Sequence, residues 1–317
     1  MDQPALQPPT GSHAILDNPP NSNDLATGVA LLCLVVATTA FLIRLFSRVH
    51  VIKRVWVDDF FILAGYGLYI GYIYCIFCII HDTGFFVHQW NLRKAELPDF
   101  LHTFFICENI YVVEIACVKA AILIEWIRVF VPFPTRNWFF YSCWALLITN
   151  SFVYASAIIT QNLLCTPYRK TWDDTVPGYC HTPFNSAIKT PVTALVSSFF
   201  DLVSDVAILV LPQQVIWRLK MPTRRRIGIS VVFAFGLSGC IAASFRVAAT
   251  ISLGRSVDVT YTASPVLLWA LAEMTGVLLV ACVPAAPKLI RTLWVDFMSL
   301  GSTWARIKSP ETPMEVL

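Results

Sequence analysis

The chain's 317 residues are 56% hydrophobic and 14% charged, with a mean hydropathy of +0.64. Soluble domains carry about a quarter charged residues, so this composition excludes a water-soluble enzyme or regulator and makes the bilayer the expected solvent. A net charge of +3 is too small to imply a nucleic-acid partner; with no phosphate loop, dinucleotide fingerprint or histidine set at ligand spacing, no cofactor and no metal are expected.

Residues 1–24 are polar and proline-rich, with no basic segment leading into an apolar core, so they are expected to be a disordered tail and not a secretory signal. Seven apolar stretches follow, over 25–46, 57–80, 101–127, 138–160, 191–216, 227–252 and 264–283. Each approaches or exceeds the roughly 20 residues that cross about 30 Å of hydrocarbon as a helix. The expected fold class is an all-α membrane protein, a seven-transmembrane helix bundle over 25–287. Its third stretch is the most polar, holding Glu108, Glu114, Lys119 and Glu125, and the fifth carries Asp201 and Asp205. After Pro284 and Pro287, Leu289, Leu293, Trp294 and Phe297 recur at helical intervals. That spacing predicts an amphipathic interfacial helix, with a short cytoplasmic tail completing 288–317.

Basic residues orient the bundle. Arg44, Arg48, Lys53 and Arg54 follow the first stretch, and Arg128 and Arg136 the third. Arg218, Lys220, Arg224, Arg225 and Arg226 follow the fifth, and Lys288, Arg291, Arg306 and Lys308 the seventh. The alternate segments hold only Arg93, Lys94, Arg169, Lys170, Lys189 and Arg255. The positive-inside bias then places the N-terminus outside and the C-terminus in the cytoplasm, in the plasma membrane or an endomembrane. The basic run at 218–226 is expected to meet anionic lipid head groups. Cys165 and Cys180 fall in a loop outside the cytoplasm, where disulfides persist, and are the favoured pair, with Cys107 as the rival partner. Asp58 and Asp59 open the second helix, where a helix amino end favours negative charge; capping is their first expected role, and contact with Arg44 or Arg128 the alternative.

Arg44 and Arg48 leading to Trp56, Val57, Asp58, Asp59 and Phe60 form a pattern that resembles the fungal rhodopsin-domain family of seven-helix proteins. Glu108, Tyr111, Lys119 and Arg128 fit it in order, as do Cys165, Pro167, Trp172 and Cys180, then Asp205, Leu211 and Pro212, then Arg246, Glu273 and Pro284. The resemblance covers about residues 25–290. It implies either a receptor-like protein or one associated with specialised-metabolite clusters of the satratoxin type. Retinal binding is not implied, because the last apolar stretch has no lysine for a Schiff base.

Charges inside the spans carry the chemistry, since each costs a few kcal/mol or more at the bilayer centre unless partnered. Counted from the outer helix ends at 1.5 Å per residue, Arg246 lies about 8 Å deep, Glu108 about 10 Å, Glu273 about 14 Å and Asp201 about 15 Å. These depths predict one outward-opening cavity. Six acids against two bases leave more carboxylates than pairing requires, so Glu273, Asp201, Asp205 and Glu108 are candidate catalytic acids or bases. Arg246, Glu114, Lys119 and Tyr111 are candidate ligand-binding groups. The competing reading is that all of them pair across helices and only hold the bundle together.

Two kinds of function fit: handling a hydrophobic small molecule in fungal specialised metabolism, as accessory protein or acid/base catalyst of the cyclase or isomerase type, or receptor-like sensing of an extracellular ligand. Small-molecule transport is a third. Expected partners are the lipid bilayer, that small molecule, and pathway enzymes or a G protein.

Overall fold

A computed structural model describes residues 3–11, 13–131, 137–163, 165–173, 175–180, 192–218 and 223–285. The interfacial helix expected over 288–304 lies outside the described residues, as do Arg136, Lys189 and Lys220. Seven helices appear among those described: α1 (Asn23–Phe46), α2 (Val57–Asp82), α3 (Leu97–Phe130), α4 (Trp138–Asn162), α5 (Val192–Arg218), α6 (Thr223–Arg255) and α7 (Val259–Cys282). Six of them are long and apolar enough to cross a bilayer. The exception is α3, the longest at 34 residues, whose ionisable side chains depress its hydropathy. The chain is an all-α, multi-pass membrane protein.

Helix ends follow local chemistry. A π-helical turn, Ser47–Ile52, prolongs α1 and stops at Lys53, whose φ of 52° is left-handed. The carboxylate of Asp59 accepts the Trp56 N–H at 3.0 Å and caps α2, while Pro98 occupies the first turn of α3, where its missing N–H is not needed. Apolar content alone would begin the seventh helix at residue 264. It begins at Val259 because Asp258 caps it, accepting from Tyr261 N.

In the packing, α3 touches α2, α4, α5 and α7, and α7 touches α1, α2, α3 and α6. The most apolar part of α7 is 72% buried and that of α4 only 17%, so α7 is a core element and α4 a lipid-facing one. Leu32, Phe60, Ile148, Phe152 and Phe199 are among the large apolar side chains left exposed. Hydrocarbon accepts such a surface and water would not. Helix approach uses small residues: a Cβ added at Gly276 of α7 would come within 3.0 Å of the Gly239 Cα on α6.

One end of the bundle carries a short hairpin, β1 (Cys165–Thr166) and β2 (Tyr179–Cys180), closed by the Cys165–Cys180 disulfide. Cys107 is a free, buried thiol. Trp172, inside the disulfide loop, lies 5.7 Å from Phe105 and 4.6 Å from His102, ring to ring, so this loop covers the start of α3. The N-terminal segment differs from the free tail its composition suggests. Ala5 N donates to Leu92 O at 2.9 Å, Lys94 N to Gln3 O at 3.0 Å and Ser22 N to Phe85 O at 2.9 Å. Asp17 meets Arg93 at 2.7 Å. Unpaired backbone groups of the α2–α3 loop supply these partners, which a reading of polarity alone cannot anticipate.

Candidate functional site

Two layers of charge lie across the bundle. The first is in its interior, where the spacing of acids on α5 matters most: Asp201 and Asp205 are one turn apart and present both carboxylates to one lysine. Lys119 of α3 reaches Asp201 Oδ1 at 2.6 Å and Asp205 Oδ1 at 2.7 Å. Arg246 of α6 bridges Asp201 Oδ2 and Glu273 Oε2, each at 2.7 Å, and donates to Ser198 Oγ at 3.0 Å. Tyr111 of α3 donates to Asp201 at 2.6 Å and can turn its hydroxyl to Glu273 at 2.8 Å, while the Arg246 guanidinium sits 4.5 Å from its ring centroid. Tyr154 of α4 closes the set, accepting from Lys119 at 3.0 Å and donating to Asp201. Five helices meet here. All of these charged groups are buried, and each gains the charged hydrogen bonds that make an ion tolerable away from water.

Of the eight residues singled out from sequence, Glu273, Asp201, Asp205, Arg246, Lys119 and Tyr111 come together in this cluster. Glu108 is half-buried and stands outside its hydrogen bonds. Glu114 is fully buried, and neither of its carboxyl oxygens has a hydrogen-bond partner among the described residues. Sequence reasoning missed Tyr154 and Ser198, whose only signal is a polar group at an apolar helix position. Counting acids against bases does not say which acids pair; Glu273 and Asp201 are both tied to Arg246. Oxygens of Asp201, Asp205 and Glu273 lie within 4.8 Å of one another, close enough for a cation. Here Lys119 and Arg246 supply the compensating charge.

The second layer is at the end opposite the hairpin. Arg44 and Arg48, one turn apart, both face α2 and α3. Arg44 contacts Asp58 at 2.8 Å, Asp59 at 3.0 Å and Glu125 at 2.8 Å, and donates to the Ala281 carbonyl of α7 at 2.5 Å. Arg48 contacts Asp58 at 3.1 Å and Glu125 at 2.7 Å. Arg128 reaches Asp58 at 2.5 Å and lies 5.0 Å from the Trp56 ring centroid. Asp59 therefore caps α2 as its position predicts and also pairs with Arg44 and Arg48, while Asp58 joins all three arginines. This layer holds three carboxylates and three guanidiniums and is balanced; the interior cluster holds three carboxylates and two cations.

A cleft opens from the Lys119–Asp205 pair toward this arginine end, between α3, α5, α6 and α7. Its sides include Ile122, Trp126, Ile208 and Val277. This cleft lies on the far side of the cluster from the hairpin, whereas residue depths point to an opening at the hairpin end. Rotation of each helix about its axis, which depth does not specify, decides this.

The fungal rhodopsin domain pattern matches residues 43–292 of the chain. Fugralins biosynthesis cluster protein 2 of Gibberella zeae is 36% identical over 92% of the chain and 71% of its own length. A receptor of Arthrobotrys oligospora, Receptor GIN3, is 27% identical over 90% of the chain and 69% of its own length. A SAT4 family membrane protein of Emericella nidulans is 29% identical over 67% of the chain and 51% of its own length. No solved structure matches.

Proposed function

Since this chain belongs to the fungal rhodopsin domain family, we propose that it serves fungal specialised metabolism by binding a hydrophobic small molecule within the membrane, as an accessory protein of a biosynthetic cluster. The observation that carries this reading is the apolar cleft ending on the Lys119–Asp205 pair. An apolar molecule concentrates in the bilayer, and a pocket with apolar sides and a few fixed polar groups suits it. Similarity to a biosynthesis cluster protein over most of the chain supports the metabolic setting. Acid/base catalysis is the weaker form of the proposal, because Glu273 and Asp201 hold Arg246 and are not free to exchange protons without breaking the pair.

The proposed topology has all seven helices crossing, with the hairpin end outside and the arginine end in the cytoplasm. Supporting it are the bias of basic residues between helices and the disulfide at the hairpin end.

Receptor action is the second reading, supported by similarity to Receptor GIN3. To test binding, the protein is purified from its fungal host in native membrane discs and the extracted small molecules are compared by mass spectrometry with those of an unrelated multi-pass protein. Enrichment of a specialised metabolite is the expected result. Extracts identical to the control would contradict the proposal.

A further inference from the structure

We propose that the cleft below the Lys119–Asp205 pair is a site for a protonated amine carried on a slender apolar body. The inference rests on the binding role above and adds the head-group chemistry.

Asp205 is 8% exposed. Its Oδ1 is held by Lys119 at 2.7 Å, and its Oδ2 is buried with no hydrogen-bond partner among the described residues. Asp205 also lines the cleft, so a ligand head lodged there stands beside the carboxylate that carries this unused acceptor. Leaving such an acceptor buried and unmade is costly, so a donor supplied from the cleft gains affinity from it.

Charge selects the kind of donor. Lys119 is engaged by Asp201, Asp205 and Tyr154, and Arg246 by Asp201 and Glu273. With all three carboxylates ionised, they share two cations, whereas the arginine layer is balanced. A carboxylate ligand would add to the surplus. An alcohol would satisfy Oδ2 and leave the charge uncompensated, and an ammonium does both. The body of the ligand is set by the apolar sides and by Gly236 and Gly239, which also line the cleft. A Cβ added at Gly239 would meet nothing within 4 Å, so the backbone there borders open space.

The test uses the full chain in lipid nanodiscs, with n-decylamine, n-decanol and n-decanoate as probes, and reads thermal stability and dissociation constant by native mass spectrometry. Decylamine is expected to bind and stabilise wild type, with decanol at least about tenfold weaker and decanoate inert. Asp205→Asn should weaken the amine at least about tenfold, and Gly239→Leu, which fills the cleft without a clash at Cβ, should block it. Equal binding of amine and alcohol, preference for decanoate, or an amine response unchanged in both variants would each overturn the site. Should Asp205→Asn fail to fold, Gly239→Leu alone decides. Failure here, with a host metabolite still enriched on the purified protein, removes the amine site and leaves the binding role standing; loss of both removes both.

Discussion

Asp201 receives four side chains from three helices: Lys119 and Tyr111, Tyr154, and Arg246. Its two oxygens are used up by them, so an isosteric amide cannot replace it, because an amide NH2 would face Lys119 or Arg246. Asp201→Asn and Glu273→Gln are therefore expected to lose folded protein, each by about 3 to 5 kcal/mol, as measured by fluorescence-detected size-exclusion yield and thermal unfolding. Normal yield of both would return them to the role of working acids. Glu114 behaves oppositely. Fully buried with both oxygens unpartnered, it is expected to gain stability on Glu114→Met, by about 1 to 3 kcal/mol, since the substitution keeps the length and removes the desolvated polar group. A fall in melting temperature would show that the carboxyl is engaged. At this scale the sequence was legible in one respect: an ionisable residue in an apolar run announces itself. Which acid meets which base was not, because Glu125 and Lys119 sit less than two turns apart on α3 and yet join different layers.

The helices themselves were readable from hydropathy and length. Departures occur where a cap outranks apolar content, as Asp258 does at α7, or where polar residues still complete a turn, as at the start of α3. Contacts between non-helical segments were not readable: the hydrogen bonds of residues 3–22 to the α2–α3 loop depend on backbone groups that have no sequence signature. The hairpin was half legible, since two cysteines in one loop suggest a bridge and the covering of α3 by Trp172 does not follow from spacing. Closing an interval of 15 residues should stabilise by about 3 kcal/mol in the chain-entropy model. Cys165→Ser is accordingly expected to lower the melting temperature and to leave a titratable thiol at Cys180; an unchanged melting temperature would mean the loop is held by its aromatic contacts alone. Between helices, Gly276→Leu should separate α6 from α7 and destabilise through the close approach to Gly239, with Gly239→Leu the tolerated comparison because its Cβ meets nothing.

Taken whole, the molecule is a multi-pass helical protein with a charge-paired interior, a balanced charged layer at one end and a disulfide hairpin at the other. The two layers join α1 to α7 through side chains and not through apolar contact alone, which fits a bilayer, where lipid tails compete with apolar packing. The proposed orientation predicts that a reporter fused after Leu317 is cytoplasmic and one fused before Met1 is outside; both on one side would remove the seven-crossing topology. The measurement that bears most directly on the account is metabolite profiling of the host with this gene deleted, beside the same strain carrying the wild-type gene again. A specialised metabolite is expected to be missing, or its precursor to accumulate, in the deletion strain, and the restored gene to reverse the change. An unchanged profile in a deletion strain that has instead lost its response to an external ligand would contradict it and favour the receptor.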